Sequence, residues 1–196
     1  KNIIKAFPAQ YFTQAAIEAA ISLHKRGLRL ENVTQLTLYG HRHVCDGVQG
    51  APEAFAPASR EAADHSTPFV AATALIHGEL TPRQYEGAPW ESREVQGLMN
   101  RLRLVVEPDR DRAFDDKGML GVRLDAEMDD GSMLTAEVEQ PRGHPDAPLS
   151  HAGIMDKMGW LLQGGSNSGT AKAIFETCVS LSTTDDVREL GRLLSG

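Results

Sequence analysis

Cysteine is scarce in this chain of 196 residues: Cys45 and Cys178 are the only two, far apart and outside any C-x-x-C spacing. Neither a disulfide framework nor a thiolate zinc site is therefore expected, and a reducing, cytoplasmic setting fits best. No run approaches the 18 or so uninterrupted apolar residues of a membrane span, and the N-terminus carries no signal-peptide pattern, so no membrane partner is expected. Basic residues are also few, 20 against 27 acidic for a net charge of -7, and they are scattered. That balance argues against nucleic acid as a partner. A G-x-S-x-G elbow, internal repeats and low-complexity segments are missing as well. The chain begins at Lys1 without a methionine, and the expectation is a portion of a longer gene product.

What is present is a soluble composition, 41% hydrophobic and 24% charged, sufficient for one core. One α+β domain over residues 1–196, with a helical C-terminal segment from about residue 150, is the expected organisation. Ala15, Ala16, Ala19, Ala20 and Leu23 form an apolar stripe that predicts a helix over 12–26, closed by Gly27. Val33 to Tyr39 alternates as a half-buried strand does. Residues 40–63 lack periodicity and read as a long irregular connection, the kind that is often functional. A helix from Pro68 to His77, capped by Thr67 or Asp64 and stopped at Gly78, follows.

Thr81-Pro82 begins a short second helix, and Ser92 a third with Val95, Leu98 and Met99 as its apolar positions. Strands are expected at Leu102–Val106, Met119–Met128 and Ser132–Gln140, the last two joined by Asp129-Asp130-Gly131. Ser150 opens one terminal helix, and Thr184 with Asp185 and Asp186 opens another. Strands gathered against helices, rather than alternating with them, predict an antiparallel sheet packed with helices.

Several residues could carry chemistry. His41, His43 and Cys45 lie at i, i+2, i+4 and would share one strand face, yet a polar strand edge is the preferred reading over a metal site. His144 and His151 flank a proline-rich turn and read as surface residues. Gly164-Gly165-Ser166-Asn167-Ser168-Gly169 lacks the Lys-Ser/Thr of a P-loop and reads as an interhelical linker. Lys5-Ala6-Phe7-Pro8 sets a cation on an extended segment before an apolar helix, suited to an anionic ligand or simply to solvent. His65, in Asp64-His65-Ser66-Thr67-Pro68, either satisfies backbone groups at a helix entry or serves there as an acid/base or anion ligand.

Three segments together resemble the MmgE/PrpD family, which includes 2-methylcitrate dehydratase and cis-aconitate decarboxylase. They are Lys5-Ala6-Phe7-Pro8-Ala9, like the family's K-x-[YF]-P; Asp64-His65-Ser66-Thr67-Pro68-Phe69 with Gly78-Glu79-Leu80-Thr81 behind it; and Gly143-His144-Pro145-Asp146-Ala147-Pro148-Leu149-Ser150, like its G-x-P-x-[NR]-P-[ML]-[ST]. The resemblance implies the lid of a larger two-part enzyme, whose helical first domain is absent from this chain and whose active site lies in the cleft between the two.

It also implies a metal-independent lyase without a cofactor, a small carboxylate substrate and a homodimer. Among site residues it implies Lys5 as a ligand of the substrate carboxylate, Gln10, Ser66 and Phe69 as further substrate-binding positions, and His65 as organiser of the helix entry and catalytic contact. Two residues depart from the family pattern. Gln10 stands where the decarboxylase has a histidine and cannot shuttle a proton at neutral pH. Phe69 stands where several members have an active-site tyrosine. Both weigh against cis-aconitate decarboxylation and, less strongly, against 2-methylcitrate. Dehydration of a small di- or tricarboxylate such as 2-methylcitrate is the first expectation, with an isomerase, epimerase or decarboxylase acting on a related carboxylate and a non-catalytic binding or dimerisation module as alternatives.

Overall fold

The computed structural model describes residues 2–162, 168–183 and 186–195. By its internal contacts the chain divides into two compact units, Lys1–Pro148 and Leu149–Gly196.

In the first unit a turn at Tyr11–Thr13 leads into α1, Gln14–Lys25. Ala15, Ala16, Ile17, Ala19, Ala20 and Leu23 have no exposed surface, so α1 is buried around most of its circumference. Gly27, at φ +80°, closes it in the left-handed region that glycine enters without a Cβ clash. Strand β1, Val33–Gly40, follows with the predicted alternation: Leu36 and Leu38 are buried, Thr37 and Tyr39 only half so.

The stretch expected to be irregular holds two short helices, α2 at Arg42–Cys45 and α3 at Arg60–Asp64, with a turn at Pro52–Phe55 between them. Such short elements rest on tertiary contacts, which is why no periodicity announces them. Helix α4 spans Thr67–His77 and stops at Gly78. Its cap is Ser66, whose Oγ accepts from Phe69 N at 3.0 Å, rather than Thr67 or Asp64. The Thr67 hydroxyl is taken by Val44 O at 2.8 Å. The turn Pro82–Tyr85 carries a capping box from Thr81 and Gln84, and Ser92 caps α5, Arg93–Met99.

Strand β2, Leu102–Val106, is followed by α6, Pro108–Lys117, which the strand reading passed over despite Pro108 in its first turn and Gly118 at its end. Strands β3, Val122–Met128, and β4, Met133–Val138, complete the sheet. Its order is β2-β1-β3-β4. The pairs β1–β3 and β3–β4 are antiparallel, but β2 runs parallel to β1, Leu36 opposite Leu102 through Gly40 opposite Val106. The sheet is therefore mixed, which corrects the purely antiparallel expectation within a fold that is α+β. Residues 41–101 carry α4 and α5 between the two strands, long enough to bring the chain back to the starting edge and pair in parallel.

One sheet face, with Leu36, Leu38, Leu124 and Ala126, joins the core; α1 packs on β3 and β4, and α4 packs on α1. The other face presents Gln35, Thr37, Arg103, Asp125 and Glu127, with the Arg123 guanidinium 4.2 Å from the centre of the Tyr39 ring.

The second unit contains α7, His151–Leu161, α8, Ser168–Val179, and α9, Arg188–Ser195. Ser150 caps α7 by accepting from Gly153 N at 3.1 Å. Residues 164–167 of the glycine-rich stretch lie outside the described residues, and Ser168 and Gly169 open α8. Thr184 and Asp185 also lie outside them; Asp186 accepts from Arg188 N at 3.0 Å just before α9. Among the described residues no helix is long and apolar enough to cross a membrane.

His41, in the first unit, is without exposed surface. Its ring stacks on Phe114 at 4.6 Å, and neither ring nitrogen has a hydrogen-bond partner among the described residues. Burial first, then the neighbouring His43, lowers its pKa from 6.5 to about 4, with Asp111 opposing and Arg42 adding to the effect. Between those two values the unfolded chain takes up a proton that the folded chain refuses, so stability falls as pH drops through this window. The Asp111 carboxyl is held below its usual value, chiefly by the Arg42 backbone N–H, and acts only at still lower pH. The melting temperature should be roughly 5 °C lower at pH 5 than at pH 7. His41→Phe, which keeps the ring and removes the proton site, should flatten the profile; an unchanged slope would clear His41 of this role.

Candidate functional site

The three sequence motifs, distant along the chain, meet in space. Phe7 and Ala9 point into the core while Lys5 is exposed, so the first motif forms a loop with its cation outward. Lys5 Nζ donates to Ala9 O at 2.9 Å. Gln14, at the start of α1, accepts from Phe7 N at 3.0 Å and donates to Phe7 O and Ala9 O, each at 3.2 Å. Gln10 uses its side chain as a cap, Oε1 accepting from Phe12 N at 2.5 Å.

The second motif is joined to the first through Gln10 N, which donates to Asp64 O at 2.9 Å. His65 is the residue at which α3 ends. Its Nδ1 lies 2.9 Å from Glu61 O and also contacts Asp64 Oδ1. Both neighbours only accept, so Nδ1 carries a proton, and Nε2 holds a lone pair when the ring is neutral. The side chain is 51% exposed at the cleft.

Ser66 and Phe69 have no exposed surface. Ser66 Oγ donates to Ala54 O at 2.5 Å besides capping α4. Phe69 packs its ring 5.7 Å from that of Tyr85 and 6.2 Å from that of Trp90. In this chain neither side chain reaches the surface that Lys5 and His65 share.

The third motif backs the first. Ile4 N donates to Gly143 O at 3.0 Å, and a Cβ on Gly143 would stand 1.8 Å from Ile4 O. Only glycine, at φ +90°, lets the segment leading to Lys5 approach so closely. His144, expected at the surface, has a side chain only 11% exposed, because the turn folds its ring inward so that Nδ1 accepts from Asp146 N at 3.2 Å. His151 is exposed.

Lys5, Gln10, Tyr11, Arg60, Asp64 and His65 line one cleft of about 490 Å³. Arg60 was missed in the sequence. Its signal was Ser59, which caps α3 by accepting from Ala62 N at 3.2 Å and so sets Arg60 on the first turn. The Arg60 guanidinium lies 5.6 Å from the centre of the Tyr85 ring. Two cations, an amide and an imidazole against one carboxylate can hold an anion with a proton acceptor beside it. Another hollow of about 510 Å³ sets Arg93 and Arg101 against Glu31 and Glu94, so its charges offset one another, and it contains no motif residue.

His41, His43 and Cys45 do not share a strand face, because β1 ends at Gly40 and α2 begins at Arg42. His43 stacks on Phe12 at 4.8 Å, and burial pushes the Cys45 thiol up to about 12. Among the described residues no group of three or more His, Cys, Asp or Glu side chains is placed to hold a metal ion.

The fold and the cleft define an α+β domain built to present cations and a histidine on one face. The MmgE/PrpD C-terminal domain matches residues 7–181, and the chain belongs to the MmgE/PrpD family. It is similar to 2-methylcitrate dehydratase of Salmonella typhimurium, 26% identical over 146 residues, covering 71% of this chain and 30% of that protein. It is also similar to cis-aconitate decarboxylase of Mus musculus, 25% identical over 194 residues, covering 98% of this chain and 39% of the relative. A cis-aconitate decarboxylase-like protein of Aspergillus oryzae is 27% identical over 169 residues, 86% of this chain and 34% of its own length. The chain thus spans between 30% and 39% of these relatives.

Since Ser66 is a buried cap with two partners, Ser66→Ala should lower unfolding free energy by about 1–2 kcal/mol in urea titration. A change within error would mean that α4 does not depend on this cap.

Proposed function

We propose that this chain is the lid portion of a lyase that dehydrates a small di- or tricarboxylate such as 2-methylcitrate. The observation that supports it is the convergence of Lys5, Arg60 and His65 on the cleft that the family motifs build. Removing a proton next to a carboxylate builds negative charge on that carboxylate. Lys5 and Arg60 are the groups to hold that charge, and two cations suit a substrate with more than one carboxylate. His65, half-exposed in the cleft, accepts the proton or a substrate hydrogen bond through Nε2 of its neutral ring. The electron pair left on carbon expels the neighbouring hydroxyl, which departs as water once protonated by an acid from the remainder of the enzyme. Gln10, with its carbonyl oxygen spent on Phe12 N, stabilises the loop rather than moving protons. That favours dehydration over decarboxylation as the reading.

A non-catalytic binding module is the second reading. It draws on Phe69, buried without a hydroxyl where several members carry tyrosine. Proton NMR of the full-length protein with 2-methylcitrate and citrate in deuterium oxide separates the readings. Alkene signals mark dehydration; deuterium exchange or inversion without loss of water marks an isomerase; binding without either marks the module. For the lyase, Lys5→Ala should lower kcat/KM at least tenfold, about 1.4 kcal/mol of transition-state stabilisation. Unaltered turnover in that variant would contradict the assignment of Lys5.

A further inference from the structure

Gln14 is 1% exposed at the first position of α1, and its whole carboxamide is turned toward the Lys5 loop. Oε1 accepts from Phe7 N at 3.0 Å, while Nε2 donates among Phe7 O at 3.2 Å, Ala9 O at 3.2 Å and Gln10 O at 3.3 Å. One side chain thereby supplies partners to Phe7 N and to three carbonyls of residues 7–10, which form no regular element of their own and also bond through Ala9 N to Phe7 O and Gln10 N to Asp64 O. Ala9 O is shared: it accepts both from Gln14 Nε2 and from Lys5 Nζ, the latter at 2.9 Å. The orientation of that carbonyl, and with it the resting place of the ammonium, follows from where α1 holds the amide.

We propose that Gln14 is a positioning residue for the cleft: its buried amide shapes the loop from Phe7 to Gln10 so that the Lys5 ammonium meets a substrate carboxylate. This rests on the reading of the cleft as a carboxylate site. A buried amide with all its groups satisfied in one arrangement admits few alternatives, so the loop is preorganised before any ligand arrives. Gly143 supports the same segment from the other side through Ile4. The loop is therefore held between α1 and the third motif, and the amide is what selects its shape.

The test uses the full-length protein, with citrate as the probe in isothermal calorimetry and amide hydrogen exchange at Phe7. Gln14→Met keeps the length of the side chain and removes every hydrogen bond. Gln14→Glu keeps the acceptor for Phe7 N and removes the two amide donors, and it serves if the first variant does not fold. Either change should speed exchange at Phe7 or free the loop carbonyls, and should weaken citrate about tenfold. Lys5→Ala should weaken it similarly, and the double variant should lose no more than about twofold beyond Lys5→Ala alone, because both act through one ammonium.

Additive losses would assign Gln14 a merely structural role and overturn the proposal. Wild-type citrate affinity in the Gln14 variants, with affinity lost in Lys5→Ala, would overturn it while leaving the carboxylate site standing. Absence of citrate binding by the unaltered protein, or indifference to Lys5→Ala, would overturn the carboxylate site and this proposal together.

Discussion

Burial of α1 on two sides is the constraint from which the rest of the first unit follows. The helix lies between the sheet and α4, and small residues make that possible: Ala15, Ala16, Ala19 and Ala20 on α1, with Ala71, Ala72 and Ala74 on α4, all at most 2% exposed. Alanine lets helix and sheet backbones approach closely, and a close-packed interior resists a shift of α1. Polar groups along it are then fixed points. Gln14 holds the Lys5 loop, Glu18 accepts from Arg142 N at 3.2 Å beside the Gly143 turn, and His24 Nδ1 meets Leu75 O at 2.8 Å near the end of α4. Each family motif is thus tied to α1 or to a segment that touches it.

This arrangement separates the parts of the motifs that make shape from those that meet solvent. Phe7, Ala9, Ser66 and Phe69 face inward and hold the loops, while Lys5, Arg60 and His65 face the cleft. The division explains how a chain with a net charge of -7 can still gather Lys5 and Arg60 at one cleft. What matters to a ligand is the local arrangement of cations at one cleft, not the sum over the surface. Gln10 and Phe69 each have a structural task in this fold. One has become a turn cap through Phe12 N, and the other fills the core against Tyr85 and Trp90.

Much of the architecture was legible along the chain. The helix ends at Gly27 and Gly78, the caps at Ser92 and Ser150 and the strand Leu102–Val106 stand where residue type and periodicity set them. The motifs in series identified the family, since their residue types and order are local facts. The cap of α4 was misplaced by one or two residues because Asp64, Ser66 and Thr67 are all good caps. Only the neighbours Ala54 O and Val44 O, both distant in sequence, decide which hydroxyl is free to turn toward the helix.

What the sequence by itself determined was therefore the kind and extent of most elements and the motifs that carry Lys5 and His65. Tertiary structure alone decided that β2 pairs in parallel with β1, that Arg60 joins Lys5 and His65 at one cleft, and that His144 turns inward. Propensity and capping depend on residues within a turn or two of one another. Strand pairing, burial and the meeting of charges depend on which distant segments the alanine-lined face of α1 allows to come close.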